Sequence, residues 1–212
     1  MRKQFDDELT KLKTEMKELA SLVESSFDKT MKVFFDANEK LAEDVFSLTR
    51  SIDKKHRKIE NLCFMLLLRY QPVAIDLRTI TASLKANFDV KRIASQSFDI
   101  AEIVKLELSL NKEKIEDAQL AVLQKMATQT KAMLAKSLET FFALDVSGAE
   151  KITAEDDVVD DCFAKIKILI ANRLAEKQSG DSAVDILMVA KYFERIADHC
   201  VNIARWTVKY FG

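Results

Sequence analysis

The stretch YFERIADHCVNIARW, residues 192–206, carries Glu194, Asp198 and Asn202 at four-residue intervals. At about 100° per residue on a helix, these three fall on one stripe, while Phe193, Ile196, Cys200 and Ile203 lie on the other side. Packing requires the apolar side; it does not require an ordered row of carboxylate and amide opposite. Upstream, EDDVVDD crowds five acids into residues 155–161. The chain has 33 basic and 34 acidic residues, so such a cluster repels itself unless solvent, Lys or Arg, or a cation compensates it. The ordinary fate of an acidic run is a solvated helix face. The alternative is a hard cation, which wants several oxygen ligands; an i,i+4 pair of carboxylates surrounds one only if a neighbouring helix adds more.

Other chemistries find little support. The sequence has no Ser/His/Asp arrangement, no Gly-rich phosphate loop and no Cys-x-x-Cys, and three glycines are too few for a cradle of backbone amides. Asp53 and His56 have the Asp-x-x-His spacing of some di-iron bundles. Those sites need Glu-x-x-His on each of two helices, and neither of this chain's two histidines is so placed, so a ferritin-like oxidase is not expected. His199 lies between the acidic stripe and the core, the place of a partly buried structural histidine. Cys63, Cys162 and Cys200 are odd in number, widely spaced and on or beside apolar faces, which reads as reduced core thiols. The near-neutral charge lacks the positive field that nucleic acid or an anionic membrane surface requires. The longest apolar run, LCFMLLL at 62–68, is far short of the roughly 20 residues of a membrane span. The segment MRKQFDDELTKLK has no apolar stretch of a secretory signal.

The elements that must position the acids are helices. With 48% hydrophobic and 32% charged residues, only three Gly and one Pro, and no alternating Val/Ile runs, the chain is expected to be all-α. The 3.6-residue period predicts six long helices, at about 2–35, 38–70, 72–109, 113–143, 148–177 and 181–210, with Pro72 in the first turn of the third. The halves echo each other. Ala42-Glu43 overlays Ala149-Glu150, Ile52-Asp53 overlays Val159-Asp160, Ile59 overlays Ile166 and Leu62 overlays Leu169. A second register lays LKANFDVKRIASQSFDIAEI (84–103) over LMVAKYFERIADHCVNIARW (187–206). The expectation is a duplicated three-helix unit, residues 1–109 and 110–212.

RYQPVAIDLRTI (69–80), following SIDKKHRKIE (51–60), together with FERIADHCVNIA (193–204), resembles the PhoU family of phosphate-transport regulators. The resemblance spans both halves and implies two tandem three-helix bundles packed side by side, in the cytoplasm and often as a homodimer. It implies a non-enzymatic negative regulator of phosphate uptake, an adaptor between a phosphate ABC importer and a sensor histidine kinase that reaches the membrane only through such partners. It also implies Glu/Asp-x-x-x-Asp motifs, two per bundle, holding a metal ion or multinuclear cluster on the bundle surface. The metal would be iron, zinc, manganese or another divalent cation.

In this chain the second half keeps those motifs, with Glu194, Asp198 and Asn202 facing Asp156 and Asp160. Asp157 and Asp161 form an adjacent i,i+4 pair, and the register, which sets Asp160 on Asp53, favours the former pair. The first half departs: Lys91 stands for Glu194, Ser95 for Asp198, Thr49 for Asp156 and Asp99 for Asn202. One cation site in the second bundle is therefore expected, with Lys91 pairing with Asp53 or Asp99 in the first. Asp76 and Arg78, at the exposed start of the third helix, are candidates for partner contact, set against helix capping by Asp76 and a salt bridge by Arg78. The competing function is a carboxylate-ligated metalloenzyme, a metal-assisted hydrolase with only His199 to serve as acid or base.

Overall fold

Apolar side chains at three- and four-residue spacing give each helix one face to bury, and helices this long hide those faces only against one another. A computed structural model describes residues 2–38, 40–108, 115–176 and 181–212. They form α1 (Arg2–Phe35), α2 (Lys40–Tyr70), α3 (Ala74–Ile103), α4 (Asp117–Ala143), α5 (Val146–Ala175) and α6 (Asp181–Phe211), with no strand among the described residues. A π-helical segment, Val104–Leu108, extends α3. No described helix is long and apolar enough to cross a membrane.

α1, α2 and α3 pack mutually, and α4, α5 and α6 repeat the same three pairings. The two bundles join mainly where α3 lies against α6, with a smaller contact of α1 on α4. The buried apolar residues form one continuous cluster drawn from all six helices. Phe193 of α6, completely buried, meets Phe27 and Phe34 of α1 edge-on, with ring centroids 6.1 and 6.4 Å apart. At the α3–α6 seam, the buried carboxylate of Asp89 accepts from three side chains of α6. Trp206 Nε1 donates at 2.7 Å, His199 Nδ1 at 2.8 Å and Asn202 Nδ2 at 3.3 Å. Nδ1 of His199 must carry the proton, because a carboxylate only accepts.

Helix starts differ from the expectation by two residues at α2, which begins at Lys40, and at α3 and α5, where the cause is visible. Pro72 precedes α3 instead of entering its first turn. It disfavours helical geometry at Gln71, which sits at φ 46°, and the chain resumes a helix only past the extended Val73, at Ala74, whose φ is still positive. α5 begins two residues before 148, because Asp145 caps it: its side chain accepts from Gly148 N at 3.0 Å. The expected division at 109/110 and the start of the fourth helix at 113 lie outside the described residues.

The cap explains the glycine. A Cβ on Gly148 would stand 2.3 Å from Asp145 Oδ2 and 2.9 Å from the Thr140 methyl. Gly148→Ala is expected to push the capping carboxylate away and cost about 1–2 kcal/mol, the usual value of a lost cap. In an Asp145→Ala background the same change should cost far less, since alanine is the better helix former. Urea unfolding of the four variants checks this, and equal costs in both backgrounds would refute it.

Candidate functional site: an acidic groove between α5 and α6

Asp156 and Asp160 stand one turn apart on α5, and Glu194 and Asp198 one turn apart on α6, which packs against it. The carboxylates share one electrostatic neighbourhood. Asp156 is half-buried and its Oδ1 is buried with no hydrogen-bond partner. Burial first, then the charges of Asp160, Asp198 and Glu194, push its pKa up to about 6. Asp198 is pushed up as well, by burial and by Glu194. Asp157 is exposed and weighs least on Asp156, and Asp161 is exposed. Asp160 is exposed as well, but its charge acts on both Asp156 and Asp198, so the pair that shares the field of α6 is Asp156 and Asp160, as the repeat register favours.

Lys191 Nζ lies 2.5 Å from both oxygens of Glu194 and over the ring of Phe163, a counter-ion already built into the groove. Among the described residues no three of the His, Cys, Asp and Glu side chains surround one point closely enough to hold an ion as they stand. The donor set itself fits a hard cation: carboxylates from two helices and an unpartnered buried oxygen. Closing it requires rotamer changes and release of Glu194 by Lys191. Asn202 lines the same hollow as Asp156 and Asp198, but its amide nitrogen is committed to Asp89 on α3.

In the first bundle Lys91 Nζ stands 3.8 Å from Asp53 Oδ1, the pairing expected there. Asp99 is half-buried and raised by burial and by Glu102. Asp76 does not cap α3, whose N-cap residue Val73 makes no side-chain hydrogen bond; its Oδ2 accepts from Arg2 Nη1 at 3.1 Å. Arg78 is exposed and forms no ion pair among the described residues. His199 is half-buried and tied to Asp89, a structural position. All three cysteines are free and buried, and burial pushes the Cys63 thiol up to about 12.

Two features escaped the sequence reading. One is Asp89, whose partners His199, Asn202 and Trp206 form a stripe of donors on α6. The other is a hollow of about 400 Å³ beside Asp198, lined by Arg92, Arg195 and Arg205. The signal for it was present in the second register, which lays Arg92 over Arg195.

Metal-free protein should show the strain in the acidic groove. Because the folded pKa of Asp156 lies above its unfolded value of 3.8, the stability it contributes is present below about pH 4 and lost as pH rises through about 6. The group is about half-exposed, so solvent screening reduces the effect to about 1 kcal/mol. Asp156→Asn removes the penalty. In chelator its Tm is expected to match wild type near pH 4 and to exceed it by about 2–4 °C at pH 7.5. Calorimetry at the two pH values checks this, and an equal difference at both would be the contrary result.

Comparison with known proteins agrees with the repeat and the fold. The PhoU domain matches the sequence twice, at residues 16–104 and 123–207. The phosphate-specific transport system accessory protein PhoU homolog 1 of Thermotoga maritima is 32% identical over 200 residues, covering 94% of this chain and 85% of that protein. The PhoU homolog of Clostridium acetobutylicum is 30% identical over 209 residues, covering 98% and 94%. The crystal structure of PhoU from Pseudomonas aeruginosa superposes with a TM-score of 0.90 at 24% identity, covering 97% of this chain and 98% of that one. The phosphate transport system regulatory protein PhoU from Streptococcus pneumoniae superposes at 0.87 with 25% identity, covering 97% and 96%. With both repeats matched and the six-helix arrangement shared, the chain belongs to the PhoU family.

Proposed function

We propose that this protein is an accessory regulator of phosphate uptake, a cytoplasmic adaptor that restrains a phosphate ABC importer and conveys its state to a sensor histidine kinase. The match of both repeats to the PhoU domain carries this reading, and the relatives' names as accessory proteins of the phosphate-specific transport system support it. The molecule works without catalysis, as a homodimer. Its long helices offer one face for a cation and others for partners, with Asp76 and Arg78 at the α2–α3 tip among the contacts.

In this reading the α5–α6 groove holds a divalent cation through Asp156, Asp160, Glu194 and Asp198, with Asn202 at its edge. The cation supplies the positive charge that the four carboxylates lack, while the chain holds the acids on two packed helices and Lys191 serves as counter-ion before binding. Copurification from cells grown at high and low phosphate tests the adaptor role. The importer's ATPase subunit and a histidine kinase should come with the protein in one condition more than the other, and recovery of neither in both conditions would sink it. Metal content of wild type, Glu194→Gln and Asp198→Asn tests the groove, with both variants expected to lose the ion. Phosphatase turnover abolished by Glu194→Gln would replace the regulator with a metal-assisted hydrolase.

A further inference from the structure

The hollow at the α3–α6 seam is lined by unpaired charge of both signs. Arg92 enters from α3 and Arg195 and Arg205 from α6, and none of the three forms an ion pair among the described residues. Asp156 and Asp198 line the same space. A guanidinium presents a planar fork of donors that matches phosphoryl oxygens two at a time. Gln96, only 7% exposed, also lines the hollow, and its Oε1 is buried without a partner. The two ends of an amide are interchangeable by a flip, so the Gln96 side chain can present its NH₂ to an anion.

The spacing selects the ligand. Arg195 and Arg205 are ten residues apart, about 15 Å along the helix axis, and even long side chains converging from that separation embrace an elongated anion better than a single tetrahedral one. The volume of about 400 Å³ exceeds what one phosphate occupies. A bare anion would also meet Asp156 and Asp198, whereas a linear polyphosphate travels with magnesium, which these carboxylates can face while the arginines take the phosphoryl oxygens.

We propose that this hollow binds a di- or triphosphate, free or carried on a nucleotide, as its magnesium complex, with Arg92, Arg195 and Arg205 gripping the phosphoryl groups. The inference goes beyond the adaptor role and is separable from the cation reading, because a titration with manganese alone probes the carboxylates without engaging the arginines.

Calorimetric titration of the full chain with inorganic triphosphate, ATP and orthophosphate, each with and without magnesium, is the test. Triphosphate with magnesium is expected to bind at least about tenfold more tightly than orthophosphate, and Arg92→Gln or Arg195→Gln to weaken it by about tenfold or more, as loss of a charge-assisted fork should. Both variants should keep the wild-type Tm and manganese isotherm, which separates the site from a folding defect. Asp156→Asn should strengthen triphosphate binding in the absence of magnesium by removing a repelling charge. ATP binding as tightly as triphosphate assigns a nucleotide as the source, and weaker ATP binding assigns the free polyphosphate. No binding of triphosphate or ATP in magnesium, equal affinity for orthophosphate, or affinity untouched by both arginine variants overturns the proposal.

Discussion

Phe193→Ala is expected to cost about 3–5 kcal/mol and to lower Tm by about 6–20 °C in a single cooperative transition. Phe193 is among the largest completely buried side chains, and its ring is met edge-on by Phe27 and Phe34 from the other bundle. Truncation removes the ring's transfer free energy and leaves a cavity between two repeats whose helices collapse only partially. Edge-to-face geometry adds a smaller contribution that disappears with it. The continuous apolar cluster gives the bundles a common core, so both should melt together. Calorimetry and helical circular dichroism should report one coincident midpoint for wild type and variant. Two separated transitions, or a loss under about 1 kcal/mol, would show that the bundles are stabilised independently.

Phe193 and Phe27 were legible from spacing alone, because the period that makes a helix amphipathic also names the residues it buries. So were the acids. Glu194 and Asp198 lie one turn apart, and the repeat register distinguished Asp156 and Asp160 from Asp157 and Asp161, a distinction the shared electrostatics of Asp156 and α6 reproduce. Lys91 beside Asp53 followed from the same register. What was not legible depends on which helix meets which across the bundles. Asp89 overlays Tyr192 in the repeat, so no polar partner marks it, and its burial arises only when α3 lies on α6. The unpaired arginines of the seam were hidden for the same reason: a local pattern places a charge outward, but not beside another helix's outward charge. Pro72 was misplaced because its effect on Gln71 outweighed its suitability for a first helical turn.

Asp89→Ala is the complementary change at the polar side of the same junction, and it is expected to cost about 3 kcal/mol. Asp89 is 8% exposed and its carboxylate receives Trp206 Nε1, His199 Nδ1 and Asn202 Nδ2, so its removal leaves three half-buried donors without their shared acceptor. Hydrogen bonds to a charged acceptor are each worth about 1.5–3 kcal/mol, but they share one acceptor and relax together, so the total falls well below their sum. Trp206→Phe removes one donor and keeps most of the ring, and should cost about 1–1.5 kcal/mol. Combined, the two changes should cost at least about 0.5 kcal/mol less than their sum, because the indole N–H is no longer orphaned by losing Asp89. Asp89→Asn serves as a second reading: its amide must turn a donor toward one of the three donors, so it too should destabilise, though less than alanine. Urea unfolding with a common m-value across the set checks the cycle. Strict additivity, or an alanine variant within about 0.5 kcal/mol of wild type, would mean that α3 and α6 are held by apolar packing alone and that Asp89 does not latch them.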